Sequence, residues 1–242
     1  MKIVKHMALL CCAFMLFSCG TKSVDSKDVR NDYGRSLDDS ISVIKAEIDS
    51  CRQQASVLQE NVDVWMRDFT TVANPREAGA YTILTSWKNR YPLKSTGLVA
   101  RIDDQGQFQL IAVLSGASFD RIVLNTPTES VSSQTVPNDQ ALNYRTGGLT
   151  TVLFAGPEAD SVGQVIADNE LNGLSVEFMQ GRVVSTWQIP AEYAKTLSYT
   201  YMLYKIQRDL ATMERRIPML QEKIKILRIH KNDMDTDTVT AN

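Results

Sequence analysis

Few side chains in this 242-residue chain could carry nucleophilic or metal chemistry. The histidines are His6 and His230, and the cysteines are Cys11, Cys12, Cys19 and Cys51. A Ser/His/Asp or Cys/His site needs a histidine beside its nucleophile, and a zinc site needs several nitrogen or sulfur ligands. Asp103-Asp104 could ligate calcium, but they precede a glycine in a turn, where aspartate is common. Gly147-Gly148 has no phosphate-loop context and reads as a turn or bulge. Paired carboxylates could hydrolyse a glycoside only at a set separation, which a sequence does not give. Trp87, Tyr91, Tyr144 and Trp187 are of the types that line a ligand groove or fill a core.

Cys19 has the most specific surroundings. Lys2, Lys5 and His6 form a short basic region, Met7–Phe17 is an unbroken apolar run, and Ser18, Cys19 and Gly20 are small. That is the layout of a secretory signal, and the run is too short for a spanning helix of about 20 residues. Leu16-Phe17-Ser18-Cys19 resembles the lipobox of bacterial lipoproteins. Leu16, Ser18 and Cys19 match it, and Phe17 is larger than is usual there. The resemblance covers only the first twenty residues. It implies cleavage before Cys19 and acylation of the cysteine, the membrane lipid then being a partner of the chain. Stable attachment needs more than one acyl chain, each buried CH₂ contributing about 0.8 kcal/mol. Gly20-Thr21 follow with no aspartate next to the cysteine. By analogy with lipoprotein sorting, this favours the outer membrane, and the absence of an acidic cluster directly after Cys19 favours its periplasmic face.

Removing 18 residues from 242 leaves 224, enough for one domain with extensions. Removing Lys2 and Lys5 from 26 basic residues leaves 24 against 28 acidic ones. No strong basic patch remains, which argues against a nucleic-acid partner. Cys51 is then the one free thiol, so no intrachain disulfide is expected. Cys51 is either a small buried apolar residue or the site of an intermolecular disulfide in a homo-oligomer. His230 then stands alone near a polar helix end, and neither a metal nor a cofactor is expected.

The elements that must position these residues show two periods. Leu37, Ile41, Ile44, Ile48, Cys51, Ala55, Leu58, Val62, Trp65 and Phe69 repeat at 4,3 spacing, a heptad seam on one long helix. Tyr199, Leu203, Ile206, Leu210, Met213, Ile217, Leu220, Ile224 and Leu227 repeat the pattern. Pro190 suits a first helical turn, and Pro218 lies inside the second seam. The first helix is net acidic and the second net basic, which favours one lying on the other. Between them, Leu98–Ile102, Phe108–Leu114, Arg121–Leu124, Ser130–Val136, Leu149–Phe154, Ser175–Met179 and Arg182–Gln188 read as strands. Glu158–Ala167 reads as a short helix, and Pro75–Tyr91 as helix or irregular cover.

The expected architecture is α+β: a long, coiled-coil-like antiparallel helical hairpin flanking an inserted small β-sandwich or partly open β-barrel. Its parts are a signal peptide (1–18), a lipidated tether (19–35), a stalk helix (36–73), a β-rich domain (74–188), a returning helix (189–231) and a disordered tail (232–242). The expected function is that of a membrane-anchored envelope lipoprotein, a non-catalytic binding or scaffold module for an envelope protein or polymer. A carboxylate-based hydrolase and a periplasmic transport adaptor are the alternatives.

Overall fold

The computed structural model describes residues 26–74, 77 and 79–239. The expected signal peptide and Cys19 lie outside the described residues. Apolar residues at helical spacing build α1 (Ser26–Trp65), which begins ten residues before the expected stalk helix. Its run ends at a 3₁₀ turn, Met66–Asp68, and Phe69 opens a strand.

Ten strands and one further helix follow. In chain order they are β1 (Phe69–Ala73), β2 (Ala80–Leu84), β3 (Gly97–Ile102), β4 (Phe108–Ser115), β5 (Arg121–Asn125), β6 (Ser130–Ser132), β7 (Asn143–Thr146), β8 (Leu149–Ala155), α2 (Pro157–Asp168), β9 (Ser175–Gln180) and β10 (Arg182–Gln188). The chain ends in α3, Ala191–Val239, with Pro218 inside it. The residues expected to form a disordered tail are therefore helical as far as Val239.

The strands make two antiparallel sheets, one ordered β1-β2-β3-β4-β8-β7 and one ordered β10-β9-β5-β6. Alternation along β3, β4 and β8 sends Leu98, Ala100, Ile102, Phe108, Leu110, Val152 and Phe154 to one face. Ile122, Leu124, Val176 and Phe178 of the smaller sheet join the same core. So do Ala159, Val162 and Ile166 of α2, and Ala194, Leu197, Tyr201 and Tyr204 of α3.

This placement of α3 corrects the expected fold. The protein is α+β, but it has no long helical hairpin and no plain sandwich of two sheets. The first turns of α3 are part of the β-domain core, in one cluster with residues of both sheets and of α2. Further along the second seam, Ile206, Leu210, Met213, Ile217 and Leu220 are only half-buried. The reason is that 4,3 spacing marks one apolar face, and a sheet can cover that face as well as a helix can.

The chain divides into two units, each containing parts of α1 and α3. The larger spans Ile44–Lys225. In it, Ile44, Ile48, Cys51 and Val62 are buried, and Arg216 donates to Glu47. In the smaller, Leu37 and Ile41 are buried, and Lys231 Nζ lies 2.7 and 2.6 Å from the two Asp38 carboxylate oxygens.

Candidate functional site

A solvated antiparallel sheet usually turns a polar face outward. The second face of the six-stranded sheet is instead apolar across β3, β4 and β8, with Val99, Ile111, Val113, Leu149 and Leu153. Part of it is covered by a 3₁₀ segment, Thr85–Arg90, which seats the buried Trp87 on Val99, Ile111 and Val113. Tyr193, from the start of α3, meets Trp87 edge-on at 4.5 Å.

Beside this cover a groove of about 380 Å³ remains open, in the range of small-ligand sites. Its floor is Val99, Ile111, Val113 and Leu149. Tyr91 and Leu93 come from the segment after the 3₁₀ turn, and Tyr144 comes from the edge strand β7. Asn74 and Glu77 supply a polar end.

The polar end rests on a buried cation. Arg101 alternates with Val99 onto this face, and its side chain is 1% exposed. It donates to the Glu77 carboxylate, to the Tyr91 hydroxyl and, from Nε, to Gln109 Oε1 at 2.7 Å. Gln109 Nε2 donates onward to Asp103 Oδ2 at 2.9 Å, and Asn74 Nδ2 donates to Glu77 Oε1. A charge removed from water must be paired and hydrogen-bonded, and this chain of contacts meets that need.

The ionisation equilibria follow from the same contacts. Burial works against a charged guanidinium, but the hydrogen bonds and charge of Glu77, together with Tyr91, hold Arg101 above its ordinary pKa. Burial raises the Tyr91 hydroxyl, and Arg101 partly offsets that. Tyr81, whose ring lies under Arg101, is also raised, chiefly by burial. The site therefore presents a guanidinium cation and neutral phenols at ordinary pH.

The four aromatic residues singled out in the sequence divide between roles. Tyr91 and Tyr144 line the groove, Trp87 is buried under the cover, and Trp187 packs on the main core and on Tyr193. Asp103 Oδ1 accepts the N–H groups of Gln105 and Gln107 at 3.0 and 2.8 Å, so its carboxylate shapes the turn. Gly147 and Gly148 both have positive φ and form the β7–β8 turn. Cys51 is a buried free thiol on α1, and His230 is exposed on α3. None of these last residues reaches the groove lining.

Glu77 and Arg101 were not anticipated. One signal was present: Arg101 interrupts the apolar run Leu98-Val99-Ala100-Arg101-Ile102, and a charge inside a buried strand requires a partner. Nothing in the sequence identified Glu77 as that partner.

Among the described residues, no group of three or more His, Cys, Asp or Glu is placed to hold a metal ion. No helix among them is long and apolar enough to cross a membrane. No protein-family model, no curated protein and no solved structure matches the chain.

Proposed function

We propose that the chain is a lipid-anchored binding module of the bacterial cell envelope, holding a ligand or partner in the groove over β3, β4 and β8 and not transforming it. The anchor is acylated Cys19, and the compartment is the periplasmic face of the outer membrane. The reading of the groove is carried by the hydrogen bonding of Glu77. This carboxylate lines the groove, yet both of its oxygens accept hydrogen bonds, from Asn74 and from buried Arg101. With both oxygens taken up by neighbouring side chains, this carboxylate is a fixed acceptor in the groove wall. The apolar floor and the two tyrosines supply contact area, and the Glu77 end supplies direction.

Two measurements test this reading separately. Labelled palmitate should be incorporated into the full chain and lost in Cys19→Ser. Palmitate labelling that persists in Cys19→Ser refutes the anchor. The neutral dye N-phenyl-1-naphthylamine should gain fluorescence with the chain from Gly20 onward, which lacks both the signal run and Cys19. That gain should be lost when Val113→Arg fills the floor. Equal dye binding by a folded Val113→Arg protein removes the groove as the site.

A further inference from the structure

The polar end of the groove sets two groups side by side. Arg101 holds both of them: one guanidinium nitrogen donates to the Tyr91 hydroxyl and another to the Glu77 carboxylate. The Arg101 side chain is 1% exposed and that of Glu77 is 18% exposed. What reaches the groove is therefore the pair of groups that the cation holds, and not the cation. Tyr91 and Glu77 both line it, and among the described residues the lining includes no lysine, arginine or histidine.

The two groups differ in what they still lack. A phenol hydroxyl donates one proton as well as accepting, and a carboxylate offers about four acceptor positions. The Tyr91 oxygen accepts from Arg101, and among the described residues its proton meets no acceptor. Glu77 accepts from Asn74, from Arg101 and from the Tyr81 hydroxyl, which leaves about one position open. A molecule that fills the groove excludes the water serving these two groups. It binds well only if it replaces both bonds.

We infer that the groove takes an uncharged, largely apolar molecule with a hydroxyl at one end, its oxygen accepting from Tyr91 and its proton donated to Glu77. This ligand class rests on the groove being the binding site. A hydroxyl is a small group that meets both needs at once. A carboxylate head would accept from Tyr91 but set an oxygen against Glu77, with no basic side chain in the lining to pair it. An ether lacks the proton for Glu77, and an ammonium lacks the acceptor for Tyr91. The apolar remainder lies on Val99, Ile111, Val113 and Leu149.

Two isomers test this, nonan-1-ol and 1-methoxyoctane, which share one composition and of which only the alcohol can donate. Each is titrated against N-phenyl-1-naphthylamine bound to the chain from Gly20 onward. Nonan-1-ol should displace the dye at a concentration at least about threefold lower than its isomer does. Tyr91→Phe removes the donated proton and should weaken nonan-1-ol at least about threefold relative to the dye. Isomers that displace the dye equally overturn the inference, as does a folded Tyr91→Phe protein with an unchanged ratio of alcohol to dye affinity. In either case, a dye signal that Val113→Arg abolishes leaves the groove as the site. A dye signal that Val113→Arg leaves unchanged removes the groove and this ligand together.

Discussion

The guanidinium carbon of Arg101 lies 3.5 Å from the centroid of the Tyr81 ring, and the same arginine ion-pairs with Glu77. One face of the cation is covered by an aromatic ring while its N–H groups are used in the guanidinium plane, toward Glu77, Tyr91 and Gln109. A buried strand position thereby becomes the support for the polar end of the groove.

Arg101→Met should destabilise the protein by about 3 kcal/mol, because Glu77 loses its counter-charge while Tyr91 and Gln109 lose a donor. Arg101→Lys should fall in between, since an ammonium cannot reach three acceptors in fork geometry. Urea denaturation of the two variants gives the comparison. If Arg101→Met costs under about 1 kcal/mol, the network does not support the groove end.

Gly163 should not accept a side chain. A Cβ there would stand 2.4 Å from Tyr201 Cδ2 and 2.9 Å from Phe108 Cε1. Overpacking of this kind costs about 1–3 kcal/mol, outweighing the roughly 1 kcal/mol that alanine gains over glycine in a helix. Gly163→Ala should therefore lower the urea midpoint, and adding Tyr201→Leu should recover part of the loss. An alanine variant as stable as wild type would show that α2 and α3 can separate freely.

Alkaline pH should weaken the fold. Burial, with the nearby Asp160 carboxylate, pushes the Tyr201 hydroxyl up to about 12. The unfolded chain then ionises at about pH 10 while the folded chain does not. The stabilisation is complete below pH ~10 and is lost as pH rises toward about 12, with a slope of up to ~1.4 kcal/mol per pH unit. Tyr81 and Tyr91 shift in the same direction. Stability against pH should be flatter over this window in Tyr201→Phe than in wild type, and parallel curves would count against the assignment.

Cys51 should react slowly. Its residue is 4% exposed, so a thiol reagent such as Ellman's should label it only after unfolding. Cys51→Ser should destabilise by about 1–3 kcal/mol through a hydroxyl buried without an arranged partner, and Cys51→Ala should cost less. Rapid labelling of native protein would reopen the intermolecular disulfide.

Much of the β-domain was legible locally. Phe108–Ser115 and Leu149–Ala155 are rich in β-branched and apolar residues, and Gly106 and Gly181 sit at positive φ in the turns between paired strands. β1 was hidden because Phe69 completes a heptad spacing at the point where the helix stops. β7 was hidden because an edge strand with the sequence Asn-Tyr-Arg-Thr lacks an apolar alternation. β6 stops at Ser132, four residues short of the expected Val136. The groove was not legible, because its lining comes from segments as distant as Glu77 and Thr151.

By itself the sequence determined the kinds of element present, the turns between most strands, and the scarcity of histidine and thiol chemistry. These depend on backbone preference, periodicity and count. It determined that Tyr199–Leu227 would have an apolar face, but not what would cover it. Only the tertiary structure decided that Tyr201 and Tyr204 face the core shared by both sheets, and that Arg101 meets Glu77. Hydrophobic burial is non-directional, so a pattern states that a face will leave water and leaves its partner to the packing of the whole chain.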